Sequence, residues 1–149
     1  MKTVDIYTDG ACSGNPGAGG YCAILIYGKQ EKVVSGFEND TTNNRMELLA
    51  VIKGLEALKE SCSVNLYSDS QYVVDAFNKG WIHSWMQNGW KTSNKKEVKN
   101  IDLWQTLLEL CTKHLVRFIK VAGHSDNEYN NRCDKIAVNE YIKVIEQAK

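Results

Sequence analysis

The first part of the chain alternates apolar runs with short polar turns. Three β-rich runs, residues 3–9, 20–28 and 32–37, are separated by glycine-rich or charged turns, which predicts two consecutive hairpins. From residue 43 to residue 60 the apolar positions recur at helical spacing, and good helix formers fill the stretch. Three strands followed by a helix are therefore expected.

The rest of the chain alternates strands with helices. It is predicted to contain a strand at 63–69, helices at 70–78, 80–88 and 100–114, a strand at 115–123, and a helix at 130–147. Strands joined through helices tend to lie parallel, whereas strands joined by tight turns lie antiparallel. The pattern thus predicts an α/β fold: one domain over residues 1–149, with a mixed five-stranded sheet and helices on both faces.

Composition excludes several classes of protein. Hydrophobic residues make up 43% of the chain and charged residues 24%, and the longest apolar run, residues 21–27, is too short to span a bilayer. The N-terminus lacks the apolar segment of a secretory signal, so we expect a cytoplasmic protein. Five cysteines without a C-x-x-C pair favour reduced, buried thiols over a disulfide framework or a zinc site.

Charge is balanced overall but not along the chain. The 18 basic and 18 acidic residues give no overall indication of a polyanionic partner. Positive charge is concentrated in residues 91–99, which carry Lys91, Lys95, Lys96 and Lys99. Such a stretch is usually a solvated loop.

Two predicted strands end in the same pattern. Asp9 follows Tyr7 by two residues in "IYTDG", and Asp69 follows Tyr67 by two in "LYSDS". If these strands are parallel neighbours, the two carboxylates lie about 5 Å apart in the crevice where open α/β sheets bind ligands. Such a pair takes up a proton or a cation, and oxygen ligands favour Mg²⁺ or Mn²⁺. The alternative is a turn role for Asp9 and a helix N-cap role for Asp69.

Three further residues are candidates by position. With Asn44 as N-cap, Glu47 completes a capping-box pattern, and spacing alone favours this over catalysis. Asp134, near the start of the last helix, suits the helix macrodipole. His124 lies in a polar loop, where it is either a solvated group or, beside carboxylates, a proton shuttle.

Five separated motifs together resemble the bacterial type of ribonuclease HI. They are "YTDGACSGNPGAGGY", "TTNNRMEL", "YSDSQYV", "GWKTSNKKEVKNIDLW" and "AGHSDNEYNNRCD". The resemblance runs from about Thr3 to Tyr141 and keeps the order and spacing of that family. It implies the ribonuclease H-like fold, with sheet order 3-2-1-4-5. It also implies hydrolysis of the RNA strand of an RNA·DNA hybrid with two Mg²⁺ ions, or Mn²⁺ in their place, leaving 5′-phosphate and 3′-hydroxyl ends. A monomer is expected.

The resemblance also assigns roles to individual residues. The metal-binding catalytic carboxylates would be Asp9, Glu47, Asp69 and Asp134, with His124 assisting proton movement or product release; for Glu47 this overrules the capping interpretation. The residues that would read RNA 2′-hydroxyls in the minor groove are Cys12, Ser13, Gly14, Asn15, Asn43, Asn44 and Gln71. The residues that would contact the DNA strand are Thr42, Asn100, Tyr72, Trp81, Trp85 and Ser93. The basic protrusion would hold Lys91, Lys95, Lys96 and Lys99.

Other interpretations and two departures accompany this resemblance. Trp81 and Trp85, spaced i and i+4, could form an ordinary core pair. The main alternative enzyme is another member of the same fold class that acts on DNA, such as an integrase, transposase or junction resolvase. A catalytically silent hybrid-binding module is disfavoured because all four carboxylates are present. A mononucleotide-binding protein is disfavoured because "GNPGAGG" lacks the G-K-[ST] ending of a P-loop. Residues 86–88 and Asp40 stand where well-known members of the family carry basic residues, which predicts weaker hybrid binding.

Overall fold

The computed structural model describes residues 1–122 and 127–148. The elements in these residues are, in chain order, β1 Lys2–Cys12, β2 Gly17–Tyr27, β3 Gln30–Thr41, α1 Asn43–Glu56, β4 Cys62–Ser68, α2 Gln71–Asn78, α3 Trp81–Gln87, α4 Ile101–Lys113, β5 Leu115–Lys120 and α5 Glu128–Gln147. The predicted elements are all present. The largest difference in extent is in β3, which is longer than predicted at both ends, and α1 ends four residues early.

The five strands form one mixed sheet in the order β3-β2-β1-β4-β5. β2 is antiparallel to both β1 and β3, while β4 is parallel to β1 and β5. The predicted sheet and its order are therefore confirmed. Tyr7 and Tyr67 are direct partners in the β1–β4 register, so the carboxyl ends of these two strands lie side by side.

Helices cover the two faces of the sheet unequally. The larger core cluster combines β1 and β4 residues such as Ile6 and Leu66 with apolar residues of α1, α2 and α4. On the opposite face, α5 contributes Cys133 and Ala137 to a smaller cluster on β2. Because alternate strand residues point to opposite faces, one strand such as β1 serves both clusters. The described helices therefore lie on both faces, as predicted.

Local capping differs from what the spacing predicted. α1 begins at Asn43, and its N-cap is Thr42, whose hydroxyl accepts a hydrogen bond of 3.3 Å from the Arg45 amide. The capping-box prediction for Asn44 and Glu47 is therefore wrong, because Glu47 lies in the second turn of the helix. The N-cap of α2 is Ser70, not Asp69, since the Ser70 hydroxyl accepts from the Val73 amide.

Two further expectations from composition can be compared with the structure. The five cysteines are free; Cys22, Cys62 and Cys133 are buried as predicted, whereas Cys12 and Cys111 are only partly buried. Within the part of the chain that the structure describes, none of the helices combines the length and apolarity that crossing a membrane requires.

Candidate active site

Three carboxylates meet where β1 and β4 end. Asp9 lies in β1 opposite Cys22 and not in a turn, Glu47 comes from α1, and Asp69 follows β4. One carboxylate oxygen from each residue lies within 4.8 Å of the others. Asp9 and Glu47 are each only 4% exposed, and Asp69 is half-buried. β1, α1 and the residue after β4 thus place three carboxylates in one largely buried cluster.

Gly10 allows Glu47 to reach this point. Its amide donates a hydrogen bond of 2.8 Å to Glu47 Oε1. A Cβ atom on residue 10 would overlap the backbone of Met46 and Glu47, so a side chain here would push β1 and α1 apart. Glu47 Oε2 is buried, and the described residues offer it no hydrogen-bond partner. A buried oxygen in this state is costly unless another group satisfies it.

The electrostatics of the cluster point to a cation. Burial, followed by the negative charge of Glu47, raises the pKa of Asp9 well above its usual range. Burial is also the main cause that raises the pKa of Glu47, and the charges of Asp69 and Asp134 add to it. Without compensation, these carboxyls would retain protons at neutral pH. The unsatisfied oxygen and the all-oxygen donor set fit a hard divalent cation such as Mg²⁺ or Mn²⁺.

Asp134 adds a fourth carboxylate from α5, which packs on the face of the sheet opposite α1. It lies on α5 and lines the same cleft as the three clustered carboxylates, with a cleft volume of about 440 Å³. Four of the predicted RNA-reading residues line this cleft as well: Cys12, Asn43, Asn44 and Gln71. His124 lies outside the described residues.

The remaining predicted RNA-reading residues lie in the turn between β1 and β2. The Ser13 amide and hydroxyl both donate to the Ala18 carbonyl, at 2.8 and 2.9 Å, which closes the turn. Cys12 Sγ donates to the Thr41 carbonyl at 3.4 Å, so the turn is tied to the end of β3. Gly14 and Asn15 are exposed beyond it.

A second cleft of about 510 Å³ adjoins the first. Asn43, Asn44 and Tyr72 line both clefts, so the two share a wall. Of the residues predicted to contact DNA, the second cleft is lined by Thr42, Tyr72, Trp85 and Asn100. Asn15 reaches it from the β1–β2 turn.

Tyr72 is held in this shared wall from two sides. Asn100 Nδ2 and Trp104 Nε1 both donate to the Tyr72 hydroxyl, at 3.4 and 3.2 Å. The Asn100 backbone is in the left-handed region, with φ of 62°, where asparagine is better tolerated than most residues. The phenol and the amide are therefore fixed next to each other.

Trp81 and Ser93 do not line the second cleft, whereas Trp85 does. Trp81 is 39% exposed, and the Lys79 ammonium lies 5.9 Å from its ring centroid, so Trp81 is not a core residue. Trp85 packs edge-on against Trp104 at 5.3 Å and is both a core contact and part of the cleft wall. Ser93 lies in the basic loop, with Lys91 and Lys95.

The basic loop is structured and continues the second cleft. Lys91 and Glu97 pair across an isolated β-bridge, and the Val98 amide donates to the Trp90 carbonyl at 3.0 Å. Lys96 and Lys99 line the second cleft, whereas Lys91 and Lys95 line a neighbouring hollow. The lysines therefore extend from the cleft wall outward.

Sequence reasoning missed several residues of these clefts. Ser70, Asn130 and Asn131 line the acidic cleft, and Thr92, Asn94 and Glu97 line the second. Asn130 lies four residues before Asp134 in α5, so the i, i+4 rule could have placed it beside that carboxylate. The residues of the basic loop carry no comparable periodic signal.

Comparison with known proteins gives consistent results. The family model for RNase H matches residues 1–142. The ribonuclease H of Acetivibrio thermocellus is 66% identical over 143 residues, which cover 96% of this chain and 97% of that protein. The crystal structure of LC9-RNase H1, a type 1 RNase H, superposes with a TM-score of 0.86 at 29% identity, covering 96% of this chain and 74% of that one.

A more distant neighbour was solved with nucleic acid. LC11-RNase H1 in complex with RNA/DNA hybrid has a TM-score of 0.72 and 23% identity, over 95% of this chain and 99% of that one. At 23% identity, the similarity between the two chains shows only that they share a fold.

Proposed function

The chain belongs to the RNase H family, and we propose that it hydrolyses the RNA strand of RNA·DNA hybrids at the acidic cleft. The observation that carries the proposal is the joining of two clefts along one wall, one acidic and one polar and aromatic with lysines at its rim. A hybrid presents two chemically different strands, and two adjoining clefts of different character match that requirement.

The acidic cleft supplies the groups that hydrolysis needs. Asp9, Glu47, Asp69 and Asp134 would hold two Mg²⁺ ions at the scissile phosphate. Bound there, the ions would activate the attacking water and would stabilise the negative charge on the 3′-oxygen leaving group, and the products would carry 5′-phosphate and 3′-hydroxyl ends. Gly10 orients Glu47 through its amide, and the burial of Asp9 and Glu47 excludes bulk water from the carboxylates.

Recognition of RNA is assigned to the polar residues of the acidic cleft. A protein that requires ribose must contact 2′-hydroxyls through short polar groups in the minor groove. Asn43, Asn44 and Gln71 lie in the same cleft as the carboxylates, so they would contact riboses next to the cleaved bond. The Cys12–Asn15 turn would extend this contact along the RNA strand.

Recognition of DNA is assigned to the second cleft. Thr42 and Asn100 would bind a phosphate of the DNA strand, and Tyr72 and Trp85 would pack against deoxyribose. Trp81, exposed beside Lys79, would contact the strand further along, and the lysines of residues 91–99 would neutralise phosphates. LC11-RNase H1, which has the same fold, was solved with such a hybrid, and this supports the class of ligand.

The proposal is tested by parallel digestion of labelled RNA·DNA, DNA·DNA and RNA·RNA duplexes, with Mg²⁺ and with chelator. We expect cleavage of the RNA strand of the hybrid alone, and only with the divalent cation. Asp69→Asn should reduce the rate by about 100-fold or more, because it removes one charged ligand. Preference for DNA·DNA would overturn the proposal, as would an Asp69→Asn variant that cleaves as fast as the wild type.

A further inference from the structure

Of the three clustered carboxylates, Asp69 alone comes from a backbone position outside the strands and helices. Asp9 is paired with Cys22 in the β1–β2 ladder, and Glu47 lies within α1. Asp69 instead occupies a bend between the end of β4 and the start of α2. Its placement in the acidic cleft therefore depends on what holds this bend.

The bend at Asp69 is closed by Ser68, the last residue of β4. Ser68 is fully buried, and its hydroxyl accepts a hydrogen bond of 3.0 Å from the Ser70 amide, so the bond spans Asp69. The Ser68 carbonyl in turn accepts from the Val121 amide at 2.9 Å. Ser68 thus ties the residue after Asp69 to a backbone that is fixed next to β5.

Packing alone does not explain a serine at this position. Val64, Leu66 and Ser68 alternate along β4 on one face of the sheet, and all three are 0% exposed. Val64 and Leu66 belong to the larger core cluster. A hydroxyl buried among apolar side chains costs free energy unless it is hydrogen-bonded, and an apolar side chain would gain more from burial. The hydrogen bond that it accepts from the Ser70 amide is therefore its contribution to the structure.

Charge repulsion makes a fixed bend important for the acidic cleft. One carboxylate oxygen each of Asp9, Glu47 and Asp69 lies within 4.8 Å of the others, and like charges at such a distance repel. Asp9 and Glu47 are buried, whereas Asp69 is only half-buried and is the one that can turn towards solvent. A bend that opened would let Asp69 relieve the repulsion by moving away, and the ligand set for a cation would then be incomplete.

The helix that follows the bend is anchored independently of it. Buried apolar residues such as Val73 and Val74 hold α2 against the core. Gln71 and Tyr72, which line the acidic cleft, are carried by this helix. Loss of the hydrogen bond within the bend should therefore move Asp69 more than the side chains assigned to binding nucleic acid.

We propose that Ser68 is a positioning residue, whose buried hydroxyl holds the bend so that the Asp69 carboxylate stays with Asp9 and Glu47. Ser68 itself lines neither the acidic cleft nor the second cleft, so it would act through Asp69 and not by contact with nucleic acid. Groups that orient the ligands of a metal typically change its affinity or the activity by about 10–100-fold. The effect on cleavage rests on the proposed function, whereas the effect on cation binding does not.

Cation binding is measured without substrate, by isothermal titration calorimetry with Mg²⁺ alone. Ser68→Thr and Ser68→Val add nearly the same volume to the buried site and differ in the hydroxyl, so comparing them separates hydrogen bonding from packing. We expect Ser68→Val to bind Mg²⁺ about tenfold more weakly than Ser68→Thr, which should stay close to the wild type. Ser68→Ala, which adds no volume, gives the same comparison against the wild type. Equal Mg²⁺ affinity in the Thr and Val variants would overturn the proposal.

Cleavage of a labelled hybrid at saturating Mg²⁺ measures the effect on catalysis. We expect kcat of Ser68→Ala to fall about tenfold, because Asp69 is displaced, while KM stays within about twofold of the wild type, since α2 keeps its other cleft residues in place. Ser68→Thr should restore kcat. Ser63→Ala is the matched control: the Ser63 hydroxyl accepts a hydrogen bond of 3.0 Å from Arg117 near the other end of β4, and its loss should leave kcat unchanged.

Two results in the cleavage assay would contradict a role in positioning Asp69. A higher KM with an unchanged kcat would place the effect on the binding residues of α2, and an equal fall of kcat in Ser63→Ala would reduce it to a general loosening of β4. Failure of the proposed function would instead appear as no hybrid cleavage by the wild type, and the Mg²⁺ titration would still decide the role of Ser68.

Discussion

At the scale of single residues, the acidic cleft depends on a position that has no side chain. Gly10 follows Asp9 and donates its amide to Glu47, and the overlap that a Cβ atom would make with Met46 shows how closely β1 and α1 approach. The residue thus sets the separation between two carboxylates that belong to different elements. Its role lies in backbone contact, which a motif such as D-G does not reveal.

Gly10→Ala should therefore reduce catalysis as well as stability. We expect the cleavage rate to fall by about 100-fold, because the Glu47 carboxylate is displaced, and the free energy of unfolding to fall by about 1–3 kcal/mol. Hybrid cleavage and urea unfolding measure the two effects. Gly28→Ala is the control: Gly28 has φ of 60° and no neighbour within 4 Å, so it should lose some stability and retain activity. An active Gly10→Ala enzyme would contradict this role.

The raised pKa of Asp9 predicts how the free energy of unfolding depends on pH. Its pKa is raised in the folded protein but is about 4 in the unfolded chain, so above that pH the folded state holds more protons. The free energy of unfolding therefore falls as pH rises. Without divalent cations, Asp9→Asn should have a higher melting temperature than the wild type. The difference should be about 2–4 °C for each kcal/mol gained in the free energy of unfolding, and it should be larger at pH 8 than at pH 5.

Calorimetry with a chelator measures this difference, and a Mg²⁺ titration completes it. The cation should raise the melting temperature of the wild type more at pH 8 than at pH 5, because protons compete with it, and should raise that of Asp9→Asn much less. Asp40→Asn, which changes an exposed carboxylate, is the control and should match the wild type. A lower melting temperature for Asp9→Asn than for the wild type at pH 8 would contradict the argument.

At the scale of elements, periodicity predicted which segments form strands and helices but not where α1 begins. Asn44 and Glu47 fit the capping-box spacing, yet Thr42 caps the helix because its hydroxyl is the one that reaches the Arg45 amide. The sequence "TTNN" offers several capping residues in a row, and only the direction in which β3 delivers the chain decides between them. Local spacing therefore could not separate capping from catalysis at Glu47.

Thr42 should affect helix stability and DNA binding together. Thr42→Ala removes the cap, at a cost of about 1 kcal/mol in the free energy of unfolding, and removes a hydroxyl from the second cleft. KM for the hybrid should rise by about tenfold if that hydroxyl donates to a phosphate. Thr42→Ser keeps the hydroxyl and should restore both values. A Ser variant with the KM of the Ala variant would contradict the phosphate contact.

At the scale of the whole molecule, the sequence predicted the sheet, its parallel centre and the closeness of the Asp9 and Asp69 carboxylates. It could not predict that Asn43, Asn44 and Tyr72 form a wall common to two clefts, because these residues come from α1 and α2 and meet only after the helices pack. It also could not show that the basic loop adjoins the second cleft. Contacts between distant segments are absent from any local pattern.

The position of the basic loop makes the departures at Met86 and Gln87 testable. Both side chains are exposed near the end of α3, shortly before the lysine-bearing loop, so lysines placed there would face the same strand. Met86→Lys with Gln87→Lys should lower KM for the hybrid and steepen its dependence on salt between about 50 and 200 mM, because each new phosphate contact releases a counterion.

Steady-state cleavage at several salt concentrations measures both effects. The matched control is Gln30→Lys with Ser61→Lys, which adds the same charge at exposed positions near the opposite ends of the strands. If net charge alone attracts the hybrid, the two double variants will behave alike. If the hybrid extends from the second cleft onto the basic loop, only the α3 variant will bind the hybrid more tightly and show a steeper dependence of binding on salt. The steepness of that dependence is determined by contacts with phosphates and not by attraction from distant charges.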